Sequence, residues 1–128
     1  MVYQGSCHCG AVQFEVLGPE EVECQECNCS ICSMSGFLHL IVPRANFKLL
    51  HGSDKLQTYT FNTATAKHLF CTICGIKSFY IPRSNPDGYS VNVRCLKPQP
   101  SKVLITEFDG QNWEQHASSL THLSNEQP

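Results

Sequence analysis

The stretch CQECNCSIC, residues 24–32, sets four cysteines into nine positions. Cys24, Cys27, Cys29 and Cys32 are too crowded for ordinary disulfides and too numerous for a plain core. What they hold decides between three kinds of body: one stapled by disulfides, one knotted by a closed metal site, and one organised by a metal with a position left open. A chain of 128 residues is expected to form one domain and to bury about two thirds of the surface its unfolded form exposes. Such a domain needs no staples, so its nine cysteines require another explanation. An odd count also fits poorly with full pairing.

Two further clusters lie outside this stretch: CHCG at 7–10 and CTICG at 71–75. A C-x-x-C turn followed by glycine aims two sulfurs at one point, and Gly75 relieves crowding where the chain bends back. That knuckle, Cys71 and Cys74, is half of a tetrahedral thiolate site. A C-x-C unit reaches one metal only if its backbone bends, because alternate side chains of a flat strand point to opposite faces. Gly5 and Gly10 supply that freedom around Cys7 and Cys9. The economical assignment is four plus three: Cys7, Cys9, Cys71 and Cys74 close one site, and Cys27, Cys29 and Cys32 form another with a vacancy. Three thiolates and an open position are the layout of a zinc that does chemistry, and a fourth would make it structural. Cys24 keeps a closed four-cysteine site open as an alternative, and disulfide or redox use is a third.

Around the clusters the pattern is mostly strand. Residues 11–17 alternate, with Val12, Phe14 and Val16 on one face and Gln13 and Glu15 on the other, until Gly18 and Pro19 end the run. Residues 36–42 form an apolar run stopped by Pro43. Residues 47–52 and 55–62, joined by a short turn, read as a hairpin or a close relative of one. Residues 66–71 lead into the CTICG turn and 76–82 leave it. Residues 88–96 alternate again, with Tyr89, Val91 and Val93 opposite Ser90, Asn92 and Arg94, and 102–110 read as a last strand. Helix signals are confined to a short turn from Ser30 or Ser33 and a segment near 112–123. The expectation is a compact, mostly-β single domain over 1–123 with cysteine-bearing turns and little helix, and a polar tail over 124–128.

Composition narrows the function classes. Charged residues make up 16% and the formal net charge is −2, without a basic block, which speaks against nucleic acid or an anionic membrane surface. Seven thiolates on two Zn²⁺ would bring the charge to roughly −5. MVYQGSCHCG lacks the basic start and apolar run of a signal peptide, and no apolar stretch approaches the ~20 residues that cross a bilayer. A reducing, cytoplasmic setting is expected, where clustered cysteines serve metals or catalysis.

Other candidates have plainer readings. Cys95 follows a strand pattern and reads as a small core residue. His8 lies between two ligands and is expected to point away from the metal. His39 sits in an apolar run and reads as a satisfied core histidine, with proton shuttling as the sharper alternative. His68 reads as a packing residue or a hydrogen-bond partner for a metal ligand. Arg83 reads as a solvent-facing turn residue, the alternative being a grip on a substrate carboxylate. Trp113 reads as a packing anchor.

The order C-x-C-G, C-x-C-x-x-C, C-x-x-C-G resembles the glutathione-dependent formaldehyde-activating enzyme family, whose members include centromere protein V. The resemblance runs from GSCHCGAVQFEV through CNCSIC and HLFCTICGIKSFYIPRSNPDGYSVNVRCL to EFDGQNWE, roughly residues 5–114. Its later segments look closest to the centromere protein V branch. The resemblance implies a β-sandwich or barrel shared with Mss4-like zinc proteins and two zincs. The structural zinc falls on Cys7, Cys9, Cys71 and Cys74 and the catalytic zinc on Cys27, Cys29 and Cys32. It implies a carbon–sulfur lyase-type activity, S-(hydroxymethyl)glutathione synthase-like, on a small-molecule thiol such as glutathione and an aldehyde such as formaldehyde. Two other classes stand beside it: a non-catalytic zinc-stabilised binding module, and a thiol-redox or metal-handling protein.

Overall fold

The structure, a computed structural model, describes residues 1–61, 65–112 and 117–124. In chain order the strands are β1 (Val2–Ser6), β2 (Gln13–Leu17), β3 (Glu21–Cys27), β4 (Leu38–Pro43), β5 (Phe47–His51), β6 (Leu56–Tyr59), β7 (His68–Cys71), β8 (Phe79–Tyr80), β9 (Gly88–Asn92), β10 (Leu96–Lys97) and β11 (Lys102–Phe108), with one helix, α1 (Ser30–Ser35), between β3 and β4. They form a four-stranded sheet ordered β10-β1-β2-β5, a five-stranded sheet ordered β11-β3-β4-β9-β8, and a two-stranded β6-β7 pair. The expected mostly-β class holds. Among the described residues no helix is long and apolar enough to cross a membrane.

The alternation of residues 11–17 does what it promises: Val12, Phe14 and Val16 are fully buried while Gln13 and Leu17 face out. They join Tyr3, Val22, Leu40, Phe79 and Val91 in one core. Phe14 stacks on Phe47 at 5.3 Å and meets the edge of Phe79 at 5.6 Å. Gly5, the Cα partner of Phe14 across the β1–β2 pairing, turns out to serve this ring rather than the Cys7 turn. A Cβ there would overlap the Phe14 side chain. The apolar run 36–42 becomes β4, a central strand buried on both faces, as a continuous rather than alternating run requires.

The structure departs from the sequence expectation in several places. Residues 47–62 are not a hairpin: β5 pairs with β2 and β6 pairs with β7. Gly52, where a Cβ would overlap the Ala11 carbonyl oxygen, and a 3₁₀ turn at Ser53–Lys55 swing the chain from one sheet to the other. β1 and β3 are strands that the cysteine-centred reading passed over. In 88–96 the strand ends at Asn92, whose side chain accepts the Arg94 N–H at 3.1 Å and starts a 3₁₀ turn. Ser90 and Asn92, expected on a polar face, are buried. β11 is the expected last strand, and it lies parallel to β3 in a seven-residue register from Lys102↔Glu21 to Phe108↔Cys27.

Within the helical segment expected near 112–123, the described residues form 3₁₀ turns at Ala117–Ser119 and Thr121–Ser124. Asn85 fastens them. Fully buried, its Nδ2 donates to the Leu120 carbonyl at 2.9 Å and to Ser124 Oγ at 2.9 Å. Ser124, expected to open the frayed tail, is instead buried and donates to Asp87 Oδ1 at 2.6 Å. Trp113 lies outside the described residues.

Candidate metal centres

The first cluster is built by two tight turns. After β1, the Cys7 N–H donates to the Val12 carbonyl at 3.1 Å and the Gly10 N–H to the Cys7 carbonyl at 3.2 Å. Where β7 ends, the Gly75 N–H donates to the Cys71 carbonyl at 2.8 Å. Gly10 and Gly75 hold φ of 82° and 78°, the left-handed region that glycine enters without a Cβ penalty. The sulfurs of Cys7, Cys9, Cys71 and Cys74 all lie within 4.8 Å of one another, with Cys7–Cys9 at 3.6 Å and Cys9–Cys71 at 3.7 Å. Four thiolates around a tetrahedral zinc with bonds of about 2.3 Å stand about 3.8 Å apart, so the geometry fits that ion. Amides are aimed at the sulfurs: the Val12 N–H reaches Cys7 Sγ at 3.3 Å and the Ile73 N–H reaches Cys71 Sγ at 3.4 Å. The Cys74 N–H, against some desolvation, holds the Cys71 thiol below its ordinary range.

The second cluster stands at the end of β3. Cys27 is its last residue, Cys29 is the N-cap of α1, and Cys32 is buried in the helix. Their sulfurs lie within 4.8 Å of one another, and among the described residues no fourth cysteine, histidine or carboxylate joins them. Strand parity settles the place of Cys24. It is three residues before Cys27, hence on the opposite face of β3, and is fully buried with Val22 in the main core. All nine cysteines are free thiols.

As bare groups the three central sulfurs resist becoming thiolates together. Hydrogen bonds from Cys27 and Cys32 pull Cys29 strongly down. Cys27 and Cys29, together with burial, drive the Cys32 thiol far up. A bound metal cation would allow all three to lose their protons, and soft thiolate donors suit zinc among other thiophilic ions.

A strap from β11 closes over this cluster. The Asn28 N–H donates to the Phe108 carbonyl at 3.3 Å, Asn28 Nδ2 donates to Asp109 Oδ1 at 3.2 Å, and Asn28 Oδ1 accepts the Gln111 N–H at 3.0 Å. Gly110 therefore rides directly on the cysteines: a Cβ there would overlap Cys27 Sγ and lie 3.0 Å from Cys29 Cβ. Gly110→Ala should displace Cys27 and weaken metal retention at this cluster by about 10–100-fold. Chelator competition would measure the loss, and the circular dichroism spectrum should not change.

Cys27, Cys29 and Cys32 line a cleft of about 330 Å³ together with Gln25, His39, His68, Tyr80 and Arg83. His39 is buried, with Nδ1 2.9 Å from Ser90 Oγ and 3.2 Å from the Tyr80 hydroxyl, but Nε2 has no partner among the described residues. The expected satisfied core histidine is thus satisfied on one side only. Burial, helped by the charge of Lys77, lowers its pKa to about 3. His68 is sandwiched between Tyr80 at 4.9 Å and Phe61 at 5.3 Å. Its Nδ1 meets Lys77 Nζ at 2.7 Å, so its partner is a lysine and not a metal ligand. Burial and Lys77 lower it to about 4. Both imidazoles are neutral at pH 7.

Lys77, unremarked in the sequence, lies 3.9 Å above the Tyr80 ring and 5.0 Å from that of Phe37. Burial draws its pKa down to about 8 while the thiolates of Cys32, Cys29 and Cys27 oppose the fall. It is a half-buried positive charge behind the cleft wall. Arg83 is half-buried on the cleft rather than turned to solvent. Cys95 is half-buried in the 3₁₀ turn Val93–Cys95, its thiol pushed up to about 11 by burial and by Cys7 and Cys74. His8 is exposed in its turn.

The described residues thus carry two cysteine clusters, one of four sulfurs and one of three in the floor of a cleft. Residues 2–108 match the family described as glutathione-dependent formaldehyde-activating enzyme, and the chain belongs to that family. A protein of Halomonas elongata that carries the same family name is 32% identical over 82 residues, covering 58% of this chain and 52% of the relative. The chain thus spans about half the length of the curated relative it matches. A crystal structure of a Rhodobacter sphaeroides protein shares the fold with a TM-score of 0.69 at 37% identity, covering 80% of this chain and 99% of that one.

Proposed function

We propose that this chain is a zinc-dependent carbon–sulfur lyase-type enzyme that joins a small-molecule thiol to a small aldehyde, glutathione and formaldehyde being the pair its family name points to. The observation that carries the reading is the three-sulfur cluster in the floor of a cleft. Its fourth side is left to the cleft, because strand parity turns Cys24 into the core.

In this reading Cys7, Cys9, Cys71 and Cys74 hold a structural zinc, and Cys27, Cys29 and Cys32 hold the catalytic one. Zinc at the three-cysteine site would favour the thiolate of a bound thiol, whose free pKa is about 8.5, and would be only a modest Lewis acid because three thiolates already donate to it. The chain's own part is to bind and align. The apolar wall formed by Ile31, Ile41, Phe108 and Leu120 excludes water, and Arg83 brings a cation to the cleft that suits a carboxylate of the thiol substrate. The sulfur attacks the carbonyl carbon, an S–C bond forms, the C=O π pair moves to oxygen, and the thiol proton ends on that oxygen as the product hydroxyl. Alignment of two bound reactants alone supplies up to about 7–11 kcal/mol, so a strong protein base is not required. Lys77, charged and half-buried against Tyr80, offsets the negative charge gathered at the cluster.

The test is to follow formaldehyde by NMR in the presence of glutathione and the zinc-loaded protein. Hydroxymethyl thioether should form faster than without protein, and the protein should hold two zincs per chain. A rate equal to the uncatalysed one with glutathione and with neutral thiols alike would overturn the reading.

A further inference from the structure

Two side-chain atoms are buried among the described residues without a hydrogen-bond partner, Gln25 Oε1 and His39 Nε2. They are not scattered. Gln25 and His39 are Cα partners across the β3–β4 pairing, and both residues line the cleft beside the three cysteines. A buried polar atom left unpaired costs about 1–3 kcal/mol, and two such atoms side by side in one cleft point to a ligand that pairs with both. Resting on the reaction above, we propose that His39 and Gln25 are catalytic residues that hold the aldehyde oxygen: His39 Nε2 donates to it, and Gln25 Oε1 accepts from the hydroxyl it becomes.

Proton counting fixes which nitrogen donates. Nδ1 of His39 faces two hydroxyls, Ser90 at 2.9 Å and Tyr80 at 3.2 Å. If Nδ1 accepts, the nearer Ser90 hydroxyl donates to it. If Nδ1 carried a proton, it would donate to these oxygens and leave both hydroxyl protons without an acceptor in this group. The first arrangement is favoured, and it places the ring proton on Nε2. Tyr80 keeps its own proton because burial and the nearby thiolates raise it well above the usual phenol range.

The step balances. As sulfur adds to the carbonyl carbon, the oxygen gains the π pair and negative charge, which the neutral Nε2–H of His39 stabilises without giving up its proton. The proton that leaves the thiol ends on this oxygen, and the new O–H finds Gln25 Oε1. A preorganised donor and acceptor thus wait for an atom that is an acceptor in the aldehyde and also a donor in the product. Their partner is a carbonyl that becomes a hydroxyl, rather than a carboxylate or a metal.

The experiment has two arms. Ring ¹⁵N shifts of His39 in the zinc-loaded protein should report the Nε2–H tautomer, and an Nδ1–H tautomer would overturn the proposal whatever the activity. In the kinetic arm, His39→Leu should lower kcat by about 100–1000-fold with little change in KM for the thiol and with both zincs retained. His39→Gln, which returns an N–H to the cleft, should recover part of that loss. Gln25→Leu, at a half-buried position less prone to misfold, should lower kcat by about tenfold. Unchanged kcat in the two leucine variants would refute the proposal. A wild-type protein without any turnover would refute the thiol–aldehyde reading and, with it, the catalytic role assigned to this pair, even if the tautomer were as expected.

Discussion

Cys71→Ser should abolish cooperative melting, leaving a protein that is insoluble or has lost its near-ultraviolet circular dichroism. Cys71 is fully buried, ends β7 opposite Leu56, and belongs with Cys7 to the main core. Through it the four-sulfur cluster ties the β1–β2 turn to the β6–β7 pair. On β6 only Leu56 packs against the core, while Gln57, Thr58 and Tyr59 are exposed, and a two-stranded sheet is marginal in water by itself. A metal held by four thiolates contributes an apparent ~10–16 kcal/mol in small zinc domains, as much as the whole folding free energy of a typical domain. Serine offers a hydroxyl that is a poor zinc ligand and leaves three thiolates crowded around a weakened ion. Cys95→Ser is the control, since Cys95 lies outside both clusters; it should stay within about 1–2 kcal/mol of the parent. A soluble Cys71→Ser protein that melts in one sharp transition would remove the structural role from this cluster.

What could be read in advance follows from what is local. The face of β2 is written in the alternation of Val12, Phe14 and Val16. The buried β4 is written in an unbroken apolar run, and each cysteine turn in its own spacing and glycine. What could not be read depends on partners far along the chain. Residues 47–62 have strand composition on both sides of a turn, which suggests a hairpin. Yet β5 finds more apolar surface against Phe14 and Val16, and β6 pairs with a strand whose first residue lies beyond residues 62–64. β3 was hidden because its inward residues are Val22 and Cys24, and a cysteine in such a cluster suggests metal before it suggests core. Only strand parity separates Cys24 from Cys27. Gly110 sits on Cys27 from 83 positions away (110 − 27), and no local pattern announces that contact. His39 illustrates the same limit: an apolar run says that it is buried, but only the cleft shows that Nε2 has no partner among the described residues.

Cys29→Ser should do the reverse of Cys71→Ser, keeping the fold while removing one zinc and lowering turnover by at least about 1000-fold. The central cluster stands at the end of β3 and the start of a six-residue helix, and the main core does not run through it. Cys29 is half-buried and caps α1 without a side-chain hydrogen bond. Serine is among the best N-cap residues, so the exchange itself should cost the helix little or even add a few tenths of a kcal/mol. The loss falls on the chemistry, because two thiolates and a neutral hydroxyl neither hold the ion tightly nor keep its charge balanced against Lys77. Metal analysis should find about one zinc per chain, with a melting temperature within a few degrees of the parent. If this variant unfolded like Cys71→Ser, the three-cysteine centre would be part of the scaffold and the binding-module reading would gain. If it kept its turnover with a single zinc, the reaction would belong to some other part of the molecule. Only a folded, singly loaded, inactive protein agrees with a metal that the chain binds on three sides and leaves to the cleft on the fourth.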